Sequence, residues 1–120
     1  MDQEMKWRPC HVLIQTTSGE QWVSGFVHPD IPGIAVTLQI FVWTITHIRT
    51  GYGISAEFER APMAFQSVED HMTGMDFRGT IEDTKANELH IKAMSAVCGD
   101  ARDECIGYYG LPSLPKPAMN

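Results

Sequence analysis

Hydrophobic and polar residues change their spacing near residue 60, and that change divides the chain into two kinds of element. Before it, apolar and polar positions alternate. Cys10 to Thr16 steps in and out, TTSGE supplies a turn, and Gln21 to Val27 answers as a second β-rich run with Trp22 and Phe26 on one face. The loop HPDIPG follows, where Pro29 and Pro32 fix φ and remove backbone donors. Ile34 to Ile48 is too long for one average strand, so it predicts either a bent strand or two strands broken near residues 40–42.

The stretch WTITHIRTGYGIS, Trp43 to Ser55, is the clearest hairpin signal, because β-branched and aromatic residues flank a turn at Arg49–Thr50–Gly51–Tyr52. Gly53 to Phe58 is expected as its partner strand. After residue 60 the period becomes helical. Ala61, Ala64, Phe65, Val68, Met72 and Met75 fall three or four apart, Pro62 suits a first turn, and Gly74 marks a stop, which predicts a helix over about 62–73. Between Thr80 and Gly99 the pattern fits an edge strand through Leu89, Ile91 and Ala93. It also fits a helical stripe through Ala86, Leu89, Ala93 and Val97, capped by Asp83 or Thr84. Abundant Ala, Glu, Leu, Lys and Met favour the helix. GLPSLPKPAMN ends the sequence as an expected proline-rich extended tail, 111–120.

The elements predict one α+β domain over 1–110, an antiparallel meander of four to five strands packed by two helices. Its 120 residues suffice to bury roughly two thirds of the unfolded surface. No apolar run reaches the ~18 residues of a membrane-spanning helix, and the acidic start MDQEMKWRPC lacks the form of a signal peptide. Three cysteines, Cys10, Cys98 and Cys105, are an odd number, and reduced thiols are expected, with a Cys98–Cys105 bridge as the alternative. These features together place the protein in a cytoplasm.

Charge narrows the function. The net of −6 is uneven: residues 1–54 hold four acids against three bases, and residues 55–120 hold eleven against six. Such a balance repels nucleic acid phosphates and anionic lipid and attracts basic proteins. His11, His28, His47, His71 and His90 are scattered without metal-ligand spacing, so no metal or other cofactor is expected. Neither Cys98 nor Cys105 has the electropositive setting of a nucleophile. The acids Glu57, Glu59, Glu69, Asp70 and Asp76 read first as a solvated face and second as contacts for a partner's arginines and lysines. In the hairpin, Trp43, Ile45, His47 and Arg49 share one face. They are either core residues leaving the sheet or, with Tyr52, an exposed aromatic and cationic tip suited to an interface.

Trp43–Thr44–Ile45–Thr46–His47–Ile48–Arg49–Thr50–Gly51–Tyr52, followed by a strand and the helix from Ala61, resembles small bacteriophage and prophage proteins in which a W-x-I-T-H-x-x-T-G hairpin precedes an amphipathic helix. The resemblance implies a mobile-element accessory protein. By analogy of size and charge it extends to inhibitors of host defence such as anti-CRISPR proteins, working in a host bacterial cytoplasm. The expected function is therefore a non-enzymatic binding protein that occludes a basic surface of a host protein or ribonucleoprotein, without direct contact to nucleic acid or membrane. Two alternatives stay open. One is a small metal-dependent or His/carboxylate hydrolase of a nucleotide-type ligand. The other is a homodimeric or larger module that binds a small molecule.

Overall fold

The computed structural model describes residues 6–54, 56–101 and 111–112. Strands β1 (Arg8–Thr16), β2 (Gly19–Val27), β3 (Ile34–Gln39), β4 (Val42–His47), β5 (Tyr52–Gly53) and β6 (Leu111–Pro112) pair in chain order as one curled antiparallel sheet. Helices α1 (Ala61–Met72), α2 (Ile81–Lys85) and α3 (Glu88–Asp100) complete an α+β fold. The meander is as expected, whereas the helices among the described residues number three rather than two. Leu111 and Pro112, the first residues of the expected extended tail, pair with Gly53 and Tyr52. Ser55, Cys105 and residues 113–120 lie outside the described residues.

The long apolar run resolves into β3 and β4, with Gln39 opposite Val42 and only Ile40 and Phe41 between them. Both turn residues have positive φ, 42° and 69°. Two-residue hairpins require this, because only such turns match the right-handed strand twist. Asparagine and glycine meet the requirement cheaply, whereas a β-branched isoleucine pays the left-handed penalty in full. On the other side of β4 the turn falls where the sequence placed it, and Gly51 has φ +79°. A Cβ on Gly51 would stand 2.9 Å from the Leu13 carbonyl oxygen. Its own carbonyl accepts the Gln15 N–H at 3.0 Å, which bends β1 round towards the β4–β5 turn and curls the sheet.

One sheet face carries Phe26, Ile34, Val36 and Ile45 against Ala64, Phe65, Val68 and Met72 of α1 and Ala93, Met94 and Val97 of α3. The opposite face holds a smaller cluster, Val12, Ile14 and Ala35, and then turns polar: Thr37 and Thr46 share a hydrogen bond of 3.0 Å, and Gln39 Nε2 donates to Thr37 at 2.8 Å. Burying an Ile or Phe completely is worth about 1.5–3 kcal/mol. An exposed pair such as Lys6–Asp30 is worth about 0–1 kcal/mol. Apolar burial therefore fixes this arrangement.

Two expectations about 80–99 are corrected. The segment forms two helices, with Thr80 capping α2 in a reciprocal capping box with Asp83, and Asn87 capping α3 through Leu89 and His90 N–H groups. Neither Asp83 nor Thr84 is the cap, because Thr80 starts the chain turning three residues earlier. The buried stripe of α3 is Ala93, Met94, Val97 and Cys98, and Leu89 points outward at 65% exposure. Cys98 is disulfide-bonded, its partner sulfur lying outside the described residues, and Cys10 is free. Reduced thiols throughout are thus not what the fold contains, and the thiol count no longer argues for a cytoplasm.

Loops 28–33 and 74–79 meet backbone to backbone. Gly33 has φ +100°, and a Cβ there would lie 2.2 Å from the Phe77 carbonyl carbon. Gly33→Ala should therefore cost upwards of about 3 kcal/mol in urea denaturation, since both the conformation and the space are denied. In the opposite direction, Ile40→Asn with Phe41→Gly should raise stability by about 1–2 kcal/mol and the melting temperature by several degrees, because left-handed strain is removed.

Candidate functional site

The hairpin that the sequence singles out is part of the core, not an exposed tip. Ile34 pairs with His47, Val36 with Ile45 and Leu38 with Trp43, so the Trp43–Ile45–His47 side of β4 faces the helices. His47 has no exposure. Its Nε2 donates to the Gly79 carbonyl at 3.0 Å, and its Nδ1 accepts from the Thr50 hydroxyl at 2.9 Å, whose oxygen in turn accepts the Tyr52 N–H at 3.3 Å. That tautomer follows from the carbonyl, which can only accept. Burial pushes the imidazole below its usual range. Backbone carbonyls of Gly79 and Phe77 oppose the shift, and Arg49 adds to it. Trp43 is half-buried against Phe26, their ring centres 5.9 Å apart, and Tyr52 packs on the same core. Arg49 is exposed and reaches the Arg78 carbonyl at 3.5 Å.

The acids expected at a partner contact have the following neighbours. Glu69 accepts the Trp7 indole N–H at 2.6 Å and lies 4.0 Å from His28 Nε2. Asp70 accepts from Gln66 at 2.8 Å, on its own helix. Asp76 is held by the Arg78 N–H, Nε and Nη2, and that guanidinium lowers its pKa to about 2. Glu57 and Glu59 flank Phe58, which is joined to Trp43 by two backbone hydrogen bonds of 2.8 Å. The five acids thus fall on three segments: Glu57 and Glu59 beside the Phe58 bridge, Glu69 and Asp70 on α1, and Asp76 in the 76–78 turn.

Sequence reasoning missed two polar clusters. In the first, Trp7 stacks on Phe65 with ring centres 4.6 Å apart and meets His28 edge-on at 5.1 Å. His28 Nδ1 accepts the Asp30 N–H at 3.0 Å, which leaves the proton on Nε2 and consumes the ring's basic nitrogen. No periodicity marks Trp7, since it precedes β1. In the second, Ser67 Oγ donates to Asp100 at 2.7 Å, and His71 Nε2 meets the same oxygen at 3.0 Å. The i, i+4 spacing of Ser67 and His71 was the available signal.

The residue types are those of a hydrolytic triad, but the order is wrong. A nucleophilic serine needs the imidazole as its base. Here the serine gives its proton to a carboxylate, and the Ser67 hydrogen bond keeps that carboxylate's pKa below the usual range. A carboxylate so stabilised is a poor base, and the cluster works as a clasp between α1 and α3. Among the described residues, no three His, Cys, Asp or Glu side chains gather as a metal cage, and no helix is long and apolar enough to cross a membrane. With the fold class and these clusters established, comparison with family models, curated proteins and solved structures finds no match.

His47 sets a pH dependence. Because its folded pKa is depressed, its contribution to stability is complete above the unfolded value of ~6.5 and declines as pH falls through that value towards the folded one. His90, lowered by its burial, acts in the same direction. The urea midpoint should therefore drop between pH 7.5 and pH 5.5. His47→Gln should lower the midpoint at neutral pH and flatten the slope, a result that a fully exposed imidazole would not give.

Proposed function

We propose that the chain is a non-enzymatic protein-binding module. One observation carries the reading. Hydroxyl, imidazole and carboxylate groups that the fold brings together are used in structural bonds, while several large apolar side chains stay in water. Trp22 is 65% exposed, Phe41 90% and Leu89 65%. Satisfied polar clusters have nothing left for chemistry, whereas apolar surface held in solvent is characteristic of a contact surface.

The narrower form of this proposal is a phage-encoded inhibitor that occludes a basic surface of a bacterial defence complex. The net charge of −6 supports a basic partner. Asp76 is paired with Arg78 and Glu69 accepts from Trp7, and Glu57, Glu59 and Asp70 add to the same negative balance. These charges act on the rate of encounter more than on the strength of the final complex.

Affinity capture from a bacterial lysate at low and at high salt tests the charge component. Glu57→Lys/Glu59→Lys/Asp70→Lys is expected to recover the partner several-fold less well at low salt and nearly as well as wild type at high salt. Equal recovery at low salt removes the acidic mechanism.

A further inference from the structure

Resting on the binding reading above, we propose that the two-residue β3–β4 turn is a peg, with Phe41 and Ile40 as its contact side chains, that inserts into an apolar, basic-rimmed pocket on a partner protein. The turn is costly to the fold and returns nothing within it. Ile40 and Phe41 both adopt positive φ, yet their side chains are 59% and 90% exposed and pack on no core. Asn-Gly would make the same turn without strain. A second cost sits beside it, because Gln39 is buried and its Oε1 has no hydrogen-bond partner among the described residues. Strain kept where it serves no internal packing is a mark of function.

The base of the peg is firm. Leu38, 40% exposed, stands opposite Trp43, and Trp43 is tied to Phe58 through both of its backbone groups. Gln39 Nε2 fastens the last residue of β3 to Thr37 in the sheet interior. A pre-ordered tip loses little conformational entropy on binding.

Area and charge identify the occupant. The two side chains of the peg with Leu38 at its base expose on the order of a few hundred Å², short of the ~800 Å² per partner that a stable interface needs. A flat contact between two copies of the tip is therefore too small. An enclosing pocket covers the same side chains on every side and lets the surrounding rim supply the remaining area. The chain's net charge of −6 disfavours anionic lipid and favours lysines and arginines around that pocket.

The experiment uses three full-length baits: wild type, Ile40→Asn/Phe41→Gly, and Phe41→p-benzoylphenylalanine for photocrosslinking. The double variant is expected to fold with raised thermal stability and to retain the bound protein at least tenfold less than wild type in high salt. Crosslinks from position 41 are expected to map to an apolar depression bordered by lysines or arginines. Equal retention by wild type and the double variant, or crosslinks on a flat or acid-rimmed surface, overturns the peg and leaves the binding reading in place. Sedimentation velocity at rising concentration and flotation with phosphatidylcholine vesicles, with and without phosphatidylglycerol, cover the other occupants. A dimer or vesicle association that the double variant abolishes overturns the proposed partner. Retention of no protein by any bait sinks the binding reading together with the peg.

Discussion

The helical half of the molecule is registered to the sheet by one backbone seam, and the other contacts presuppose it. At its centre Gly33 lies against the peptide that joins Phe77 to Arg78, closer than any side chain allows. Phe77 N–H donates to the Pro32 carbonyl at 2.8 Å, Gly74 N–H to Asp30 at 3.0 Å, and Ile48 N–H to Gly33 at 3.0 Å. Three strangers in sequence, the 28–33 loop, the β4–β5 turn and the 74–79 loop, are thereby held together. The seam aims Gly79 at His47 and lets Phe77 enter the core beside His90, their ring centres 4.4 Å apart. Backbone pairs of this kind have little freedom to slide, so α1 and α3 have one place to dock.

Given that seam, the polar residues fall into structural service. His47 satisfies two loops at once, and burial keeps its pKa low against the opposing effect of the Gly79 and Phe77 carbonyls. Trp7 closes the open end of the helix–sheet layer by stacking on Phe65 and donating to Glu69. Ser67, His71 and Asp100 fasten α1 to α3. Each of these arrangements contains residue types that catalysis employs, and in each the geometry ties one element to another. Side-chain identity alone misleads here, because the same three groups form a catalytic chain or a clasp according to which one sits in the middle.

Part of the apolar surface that the fold leaves in solvent, Ile40 and Phe41, lies where the backbone is least relaxed. A hairpin turn made by isoleucine and phenylalanine works against local preference, whereas nearly every other local choice in the chain agrees with the global fold. Conflicts between local and global preference are expected at functional positions. The acidic residues, by contrast, follow local convenience: Asp83 completes a helix cap, Asp76 grips its neighbour, and Asp70 meets Gln66 one helical turn away.

Periodicity alone determined the α+β class, the meander, α1 with its proline start, the turn at Gly51 and the break near residue 40, because each is set by neighbours a few positions apart. It also favoured helix in 80–99, though not the division at Asn87, since the Thr80 cap seven residues earlier starts an independent helix. The fate of the distinctive hairpin needed the tertiary structure: whether His47 faces water or Gly79 depends on a loop 32 residues away. The partners of Glu69, Asp70 and Asp76 were equally illegible, because a count of charges carries no directions. Exposure of Phe41 was decided last and least locally. A phenylalanine in an apolar run reads as core, and only the two-residue turn, forced by the pairing of Gln39 with Val42, puts it in water.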